Sequence, residues 1–279
     1  MLLNLDVIGQ TFELEPFEYD WKDCALYALG IGASTAQLDY VWEGSTDFKV
    51  YPSFAVIPTQ PLVFEALRAI NANFKKVLHG SQTIRVHRPL KSSGTLVSEG
   101  RITEVQDKGK SAIVIVETKT TDADGVPLFD TSWSIVCMGQ GDFGGERGQS
   151  PALPPMDEGA PITSVTTEST TPSQALIYRL SGDLNPLHVD PNLATKVGFP
   201  APILHGLCTY GYAMRAVIDS LCGGDPAKLK EFTARFSQVV YPGDALTVQI
   251  APSVAPKKYR LEVLVEDKVV LSGGLVEVS

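Results

Sequence analysis

The stretch "GLCTYGYAMRAVIDSL", residues 206–221, decides the fold. Leu207, Cys208, Tyr210, Ala213, Met214, Ala216, Val217, Ile218 and Leu221 cover nearly its whole circumference at helical spacing. A helix that is apolar all round has to be buried on all sides. One curved antiparallel sheet wrapped around one central helix meets that demand. The strands for it follow in "ALTVQIAP" (245–252), "YRLEVLVE" (259–266) and "VVLSGGLVEV" (269–278).

The first half of the chain offers the same parts in the same order. "ALYALGIGA" (25–33) precedes an apolar helical segment, "LVFEALRAI" (62–70), and then strands such as "SAIVIVETKT" (111–120). In the second half "ALIYRLSGD" (175–183) precedes the 206–221 helix. Tyr27 and Tyr178 occupy matching places. Pro89 lies 62 residues after Tyr27, and Pro242 lies 64 after Tyr178. Between the halves, "QGDFGGERGQSPALPPMDEGAP" (140–161) is crowded with Gly and Pro and reads as a linker. The expected architecture is therefore α+β, a double hot dog. An N-terminal repeat spans 1–139 and a C-terminal repeat spans 162–279. The competing expectation is two unrelated α+β domains.

Composition narrows the function. The chain has 279 residues, is 44% hydrophobic and carries a net charge of −9. Such an acidic chain argues against a nucleic-acid groove or a polybasic membrane surface. No apolar run approaches the roughly 20 residues of a membrane span. The opening "MLLNLDVIGQTFELEP" lacks the pattern of a secretory signal, and "VEVS" at the end is not a peroxisomal "SKL". Cys24, Cys137, Cys208 and Cys222 show no CxxC spacing and read as buried, reduced thiols. No metal site and no Gly-rich dinucleotide fingerprint is visible.

"YRLSGDLNPLH" (178–188) carries the chemistry. Pro186 forbids a regular helix between Asp183 and His188, but a turn at Asn185-Pro186 can bring both to one point. A carboxylate and an imidazole sharing one water can take a proton from it and return one to carbon. Gly206 opens the buried helix, where its N–H faces out along the positive end of the dipole. Without a side chain there, a carbonyl can approach that oxyanion site. Asn185 can help to hold the carboxylate, the water or a thioester oxygen. Singly, each has a plainer reading: Asp183 as a turn residue and His188 as a structural histidine. Asp190 in "DPNLATKVG" reads as a helix cap, His205 as structural or supporting, and Tyr178 and Arg179 as packing residues.

The long segment "YRLSGDLNPLHVDPNLATKVGFPAPILHGLCTYGYA" (178–213) resembles the signature of the MaoC-like, type 2 (R)-specific enoyl-CoA hydratases. "ALYALGIGAS", "YVWEGSTDF", "KKVLHGSQ", "DKG", "GDFGGERG" and "ARFSQVVYPG" resemble the two-repeat subgroup, which includes the hydratase domain of the peroxisomal multifunctional enzyme. The resemblance covers most of the chain. It implies reversible hydration of a trans-2-enoyl-CoA to a (3R)-3-hydroxyacyl-CoA in fatty-acid metabolism. Asp183, His188, Asn185 and Gly206 would be the catalytic set. Coenzyme A is then part of the substrate, and no cofactor is needed. Substrate contacts are implied for His79, Gly80, Lys108 and Phe236, with Lys75 and Lys76 close in sequence. Glu43 matches a family glutamate. The first half reads "GIGASTAQ" where the second reads "SGDLNPLH", so only the second repeat can catalyse. The resemblance implies that the silent repeat gives up part of its helix, behind Pro58 and Pro61, to house the acyl chain. The rival functions are a hot-dog acyl-CoA thioesterase and a non-catalytic acyl-CoA binding module. The expected assembly is a homodimer. The expected compartment is the cytoplasm for a bacterial chain and the peroxisome for a eukaryotic domain.

Overall fold

Alternation along 111–120 resolves into a strand whose Ala112, Val114, Val116, Thr118 and Thr120 face inward while their neighbours face out. A computed structural model describes residues 2–149 and 162–279. In the first half the order is β1 (Thr11–Glu13), β2 (Phe17–Tyr19), α1 (Trp21–Gly30), α2 (Leu38–Val41), α3 (Val56–Ala69), β3 (Val77–Val86), β4 (Gly94–Asp107), β5 (Ser111–Asp122) and β6 (Pro127–Met138). The second half runs β7 (Ser164–Ser169), α4 (Gln174–Tyr178), α5 (Pro191–Lys196), α6 (Gly206–Leu221), β8 (Leu229–Phe236), β9 (Ala245–Pro252), β10 (Lys258–Val265) and β11 (Lys268–Val278).

All the described strands belong to one sheet, in the order β1-β4-β5-β6-β3-β8-β11-β10-β9-β7, with β2 also on β4. That order is a palindrome. Each strand of one half has its counterpart at the same distance from the centre, and all pairs are antiparallel. The pseudo-twofold passes between β3 and β8, where Thr83 faces Thr233 and their hydroxyls lie 2.9 Å apart. The double hot dog is therefore present, and the two-domain alternative is excluded by the continuous sheet.

Helix α6 spans the expected residues, and every residue from Leu207 to Ile218 is buried. The end of α1 presses against it. A Cβ on Gly211 would lie 2.3 Å from Ile31 Cγ2, so only glycine admits this approach. The last carbonyls of α1 are satisfied by the second half. Gln174 Nε2 donates to Leu29 and Gly30 oxygens at 3.1 and 2.6 Å, and Arg215 Nε donates to Ile31 O at 3.1 Å. Arg215 is a buried charge inside an apolar helix. Its guanidinium also pairs with Glu168 and sits 5.2 Å over the Tyr212 ring. Tyr27 and Tyr178, at matching places in the two halves, meet with ring centroids 6.0 Å apart.

The central helix of the first half differs from expectation. It starts at Val56, six residues before Leu62, and contains both Pro58 and Pro61. Pro58 lies in the first turn, where its missing N–H has no partner to lose. Pro61 lies inside the helix with its ring on the exposed side. It removes one helical hydrogen bond without breaking the element. The helix has 14 residues against 16 in α6, so the first repeat does not give up a substantial part of it. Of the segment read as a linker, 140–149 is irregular. Asp107 accepts N–H bonds from Gly109, Asp142 and Gly144 at 2.9–3.0 Å and pins it to the β4–β5 turn. Positions 150–161 lie outside the described residues.

Candidate active site

A cavity of about 420 Å³ opens at the seam between the halves. One wall is α3, whose Gln60, Val63, Phe64 and Leu67 share a face at i, i+3, i+4 and i+7 spacing. β3 adds His79 near its start, and β6 adds Trp133 and Ile135. The second half contributes Asp183, Asn185, His188, Gly206, Thr209 and Phe236. The lining is mostly apolar, with a few polar groups at one point, as ligand sites usually are.

The local chain explains why those polar groups converge. Asn185 Oδ1 accepts the Leu187 N–H at 3.1 Å and caps a single 3-10 turn, Pro186–His188, with Pro186 in its first position. The turn folds His188 back towards Asp183. The Asn185 N–H donates to Asp183 Oδ1 at 3.3 Å. One ligating atom each of Asp183, His188 and His205 lies within 4.8 Å of the others.

Hydrogen bonds assign the tautomers. His188 Nδ1 is 2.8 Å from Ile203 O, an acceptor only, so Nδ1 carries the proton and Nε2 is bare. His205 Nε2 donates to the Asp183 carbonyl at 3.1 Å, and its ring stacks on His188 with centroids 3.7 Å apart. Burial holds the His188 imidazole below its ordinary value, against the Ile203 bond and the Asp183 charge. Burial, with His188 beside it, pushes His205 down to about 4. Both rings are thus neutral near pH 7. His188 presents a lone pair, and His205 buttresses it and the Asp183 backbone. The same three side chains are the metal-ligating types that gather among the described residues, with one nitrogen of each ring bonded to a backbone carbonyl.

Gly206 is the first residue of α6, and no side chain caps that end among the described residues. A Cβ there would lie 3.0 Å from Phe236 Cδ1, so the ring covers the position a side chain would take. The Phe236 ring also lies 4.6 Å from His79, which stacks on Trp133 at 4.9 Å. Phe236 therefore packs against Gly206 and against His79, and all three line the cavity. Burial pushes the His79 imidazole down to about 4, and its Nε2 donates to Ser81 O at 3.1 Å.

The remaining sequence candidates lie elsewhere. Gly80 sits at a β-bulge between His79 and Ser81, packed against β6, and does not line the cavity. Lys108 lies in the β4–β5 turn, at the same end of the sheet as His79, and its Nζ donates to the Arg147 carbonyl. Lys75 and Lys76 are exposed just before β3. Glu43 is exposed in the turn after α2, outside the lining. Asp190 caps α5 through the Asn192 N–H at 2.8 Å. Sequence reasoning missed Gln60, whose Nε2 donates to Asp183 Oδ2 at 3.2 Å from the opposite half. Its only signal was its place on the apolar face of a helix that the two prolines concealed.

Comparison with known proteins covers both halves. The MFE-2 hydratase 2 N-terminal domain family matches residues 17–139, and the MaoC like domain family matches residues 156–271. The chain is 41% identical to the 3-hydroxyacyl-thioester dehydratase Y of Mycobacterium tuberculosis, over 99% of each chain. It is 36% identical to the peroxisomal enoyl-CoA hydratase 2 of Arabidopsis thaliana, over 92% of this chain and 89% of that one. The crystal structure of a MaoC-like dehydratase from Phytophthora capsici superposes with a TM-score of 0.88 at 31% identity, over 99% of this chain and 98% of that one. The chain thus belongs to the two-repeat, MaoC-like enoyl-CoA hydratase 2 family.

Proposed function

We propose that this enzyme is a hydro-lyase that adds water reversibly to a trans-2-enoyl-CoA and yields the (3R)-3-hydroxyacyl-CoA. The observation that carries the reading is the convergence of Asp183, His188 and the Gly206 helix start on one cavity. A water held between the Asp183 carboxylate and the bare Nε2 of His188 gives up a proton to the pair as its oxygen bonds to C3. The alkene electrons move towards the thioester oxygen, which faces the Gly206 N–H. The pair then returns a proton to C2. Atoms balance with water alone, so neither a metal nor a redox group enters the scheme. Asn185 shapes the turn and leaves its NH₂ free for the thioester or the water.

Apolar Val63, Phe64, Leu67 and Ile135 support an acyl chain running into the first half. His79 and Phe236 would flank the thioester. Lys108 would meet the coenzyme A phosphates at the sheet end, and Gly80 would set the bulge that aims His79. Glu43 enters only through the resemblance. The division follows: a non-catalytic repeat at 1–139, a connection at 140–161 and a catalytic repeat at 162–279. A homodimer is the proposed assembly, and the cytoplasm or peroxisome the compartment for a bacterial or eukaryotic source.

The rival hydrolase would direct the same water to the thioester carbon. Incubation with trans-2-decenoyl-CoA separates the two. Loss of the enoyl absorbance without release of thiol, and a (3R) product, is expected. Stoichiometric thiol release would make the enzyme a thioesterase, and no turnover would make it a binding module.

A further inference from the structure

We propose that Gln60, on the helix of the silent repeat, is a positioning residue that orients the Asp183 carboxylate for catalysis. The inference rests on Asp183 acting as an acid–base group. Its two oxygens have separate donors. Oδ1 takes the Asn185 N–H at 3.3 Å, and Oδ2 takes the Gln60 amide at 3.2 Å. The first comes from two residues away, the second from 123 positions back in the chain. A carboxylate turns easily about its last torsion, because that torsion is broad and nearly two-fold. The Asn185 bond alone fixes one oxygen. The Gln60 bond fixes the plane.

The donor's chemistry suits the task. A lysine or arginine at that place would neutralise the carboxylate and bind it strongly. A neutral amide aims it and leaves its charge for the water. Gln60 is also set by its helix. It shares the cavity face of α3 with Val63, Phe64 and Leu67, the residues along which an acyl chain would lie. The half without catalytic residues thus touches the reacting carboxylate directly, from the same face that would bind the substrate tail.

Three variants test this with trans-2-decenoyl-CoA as substrate and decanoyl-CoA as unreactive ligand. Gln60→Leu keeps the apolar fit but removes the donor. Its kcat should fall about tenfold or more, because small misplacements of reacting groups have effects on that scale. KM and the decanoyl-CoA Kd should stay within about threefold, since apolar contacts set them. Gln60→Glu should be poorest near pH 8, where two carboxylates face each other. Its activity relative to wild type should rise as pH falls and the new carboxyl gains a proton to donate. That trend decides the matter even if the leucine variant folds badly. Asp183→Asn is the control. If it loses activity while Gln60→Leu keeps wild-type kcat, or the Gln60→Glu ratio is flat with pH, Gln60 has no positioning role and the acid–base reading stands. If Asp183→Asn is itself active, the acid–base reading fails first.

Discussion

At Gly206 an added Cβ would meet the Phe236 ring at 3.0 and 3.1 Å, tighter than most side-chain contacts, so the ring would have to give by a few tenths of an ångström. The ring packs against His79 and lines the cavity, so a shift there crowds the place where a thioester oxygen would meet the N–H. Gly206→Ala should therefore lower kcat/KM by roughly ten- to a hundredfold, the range in which oxyanion donors matter. Steady-state kinetics on enoyl-CoA, beside a thermal melt that moves little, checks it. Wild-type kinetics would remove the helix start from the site. Asp183, Asn185 and His188 were legible because one short turn gathers them, and Pro186 and the Asn cap announce that turn. Gln60 was not legible. Its contact spans the seam, and no local pattern records which residue of a distant helix points at a carboxylate. Glu43 shows the converse: a family likeness marked it, while the fold leaves it exposed and outside the lining.

Elements were read best where one physical demand dominates. Helix α6 was bounded correctly because an all-round apolar surface starts at Gly206 and stops at Leu221. Strand β9 was bounded correctly because alternation runs from Ala245 to Ile250 and the strand ends at Pro252. Helix α3 is longer than expected, because the resemblance implied a helix shortened behind Pro58 and Pro61. Proline harms a helix through its missing N–H and through its ring. In the first turn the N–H is not needed, and at Pro61 the ring lies on the exposed side, so neither effect ends the helix. Packing of Leu62, Val63, Ala66 and Leu67 then holds the helix in place. The acyl pocket proposed for the first half consequently lies along α3 rather than in a gap left by it.

For the molecule as a whole, the palindromic sheet joins two similar repeats edge to edge, and only the second carries the Asp183–His188 motif. At and beside the cavity at their seam, His205 is buried and His79 and His188 are partly withdrawn from water. Burial pushes His79 and His205 down to about 4 and lowers His188 from the ordinary 6.5. Unfolded, these rings take up protons below about pH 6.5, whereas folded His79 and His205 resist until near 4 and folded His188 is protonated only below its ordinary value. Below 6.5 the unfolded state therefore binds more protons. The stabilisation is fully present above that pH and is lost as pH falls towards 4, on the order of 1 kcal/mol per group per unit. The ligand-free melting temperature should be several degrees lower at pH 5 than at pH 7.5, and an equal value would mean the rings are protonated in the fold. The central claim is that one carboxylate–imidazole pair hydrates the substrate. Its most direct test is the kcat of Asp183→Asn and His188→Ala on trans-2-decenoyl-CoA, with decanoyl-CoA binding measured alongside. Each variant should lose about a hundredfold or more in kcat while binding stays near wild type; a folded variant that keeps wild-type kcat would contradict the account.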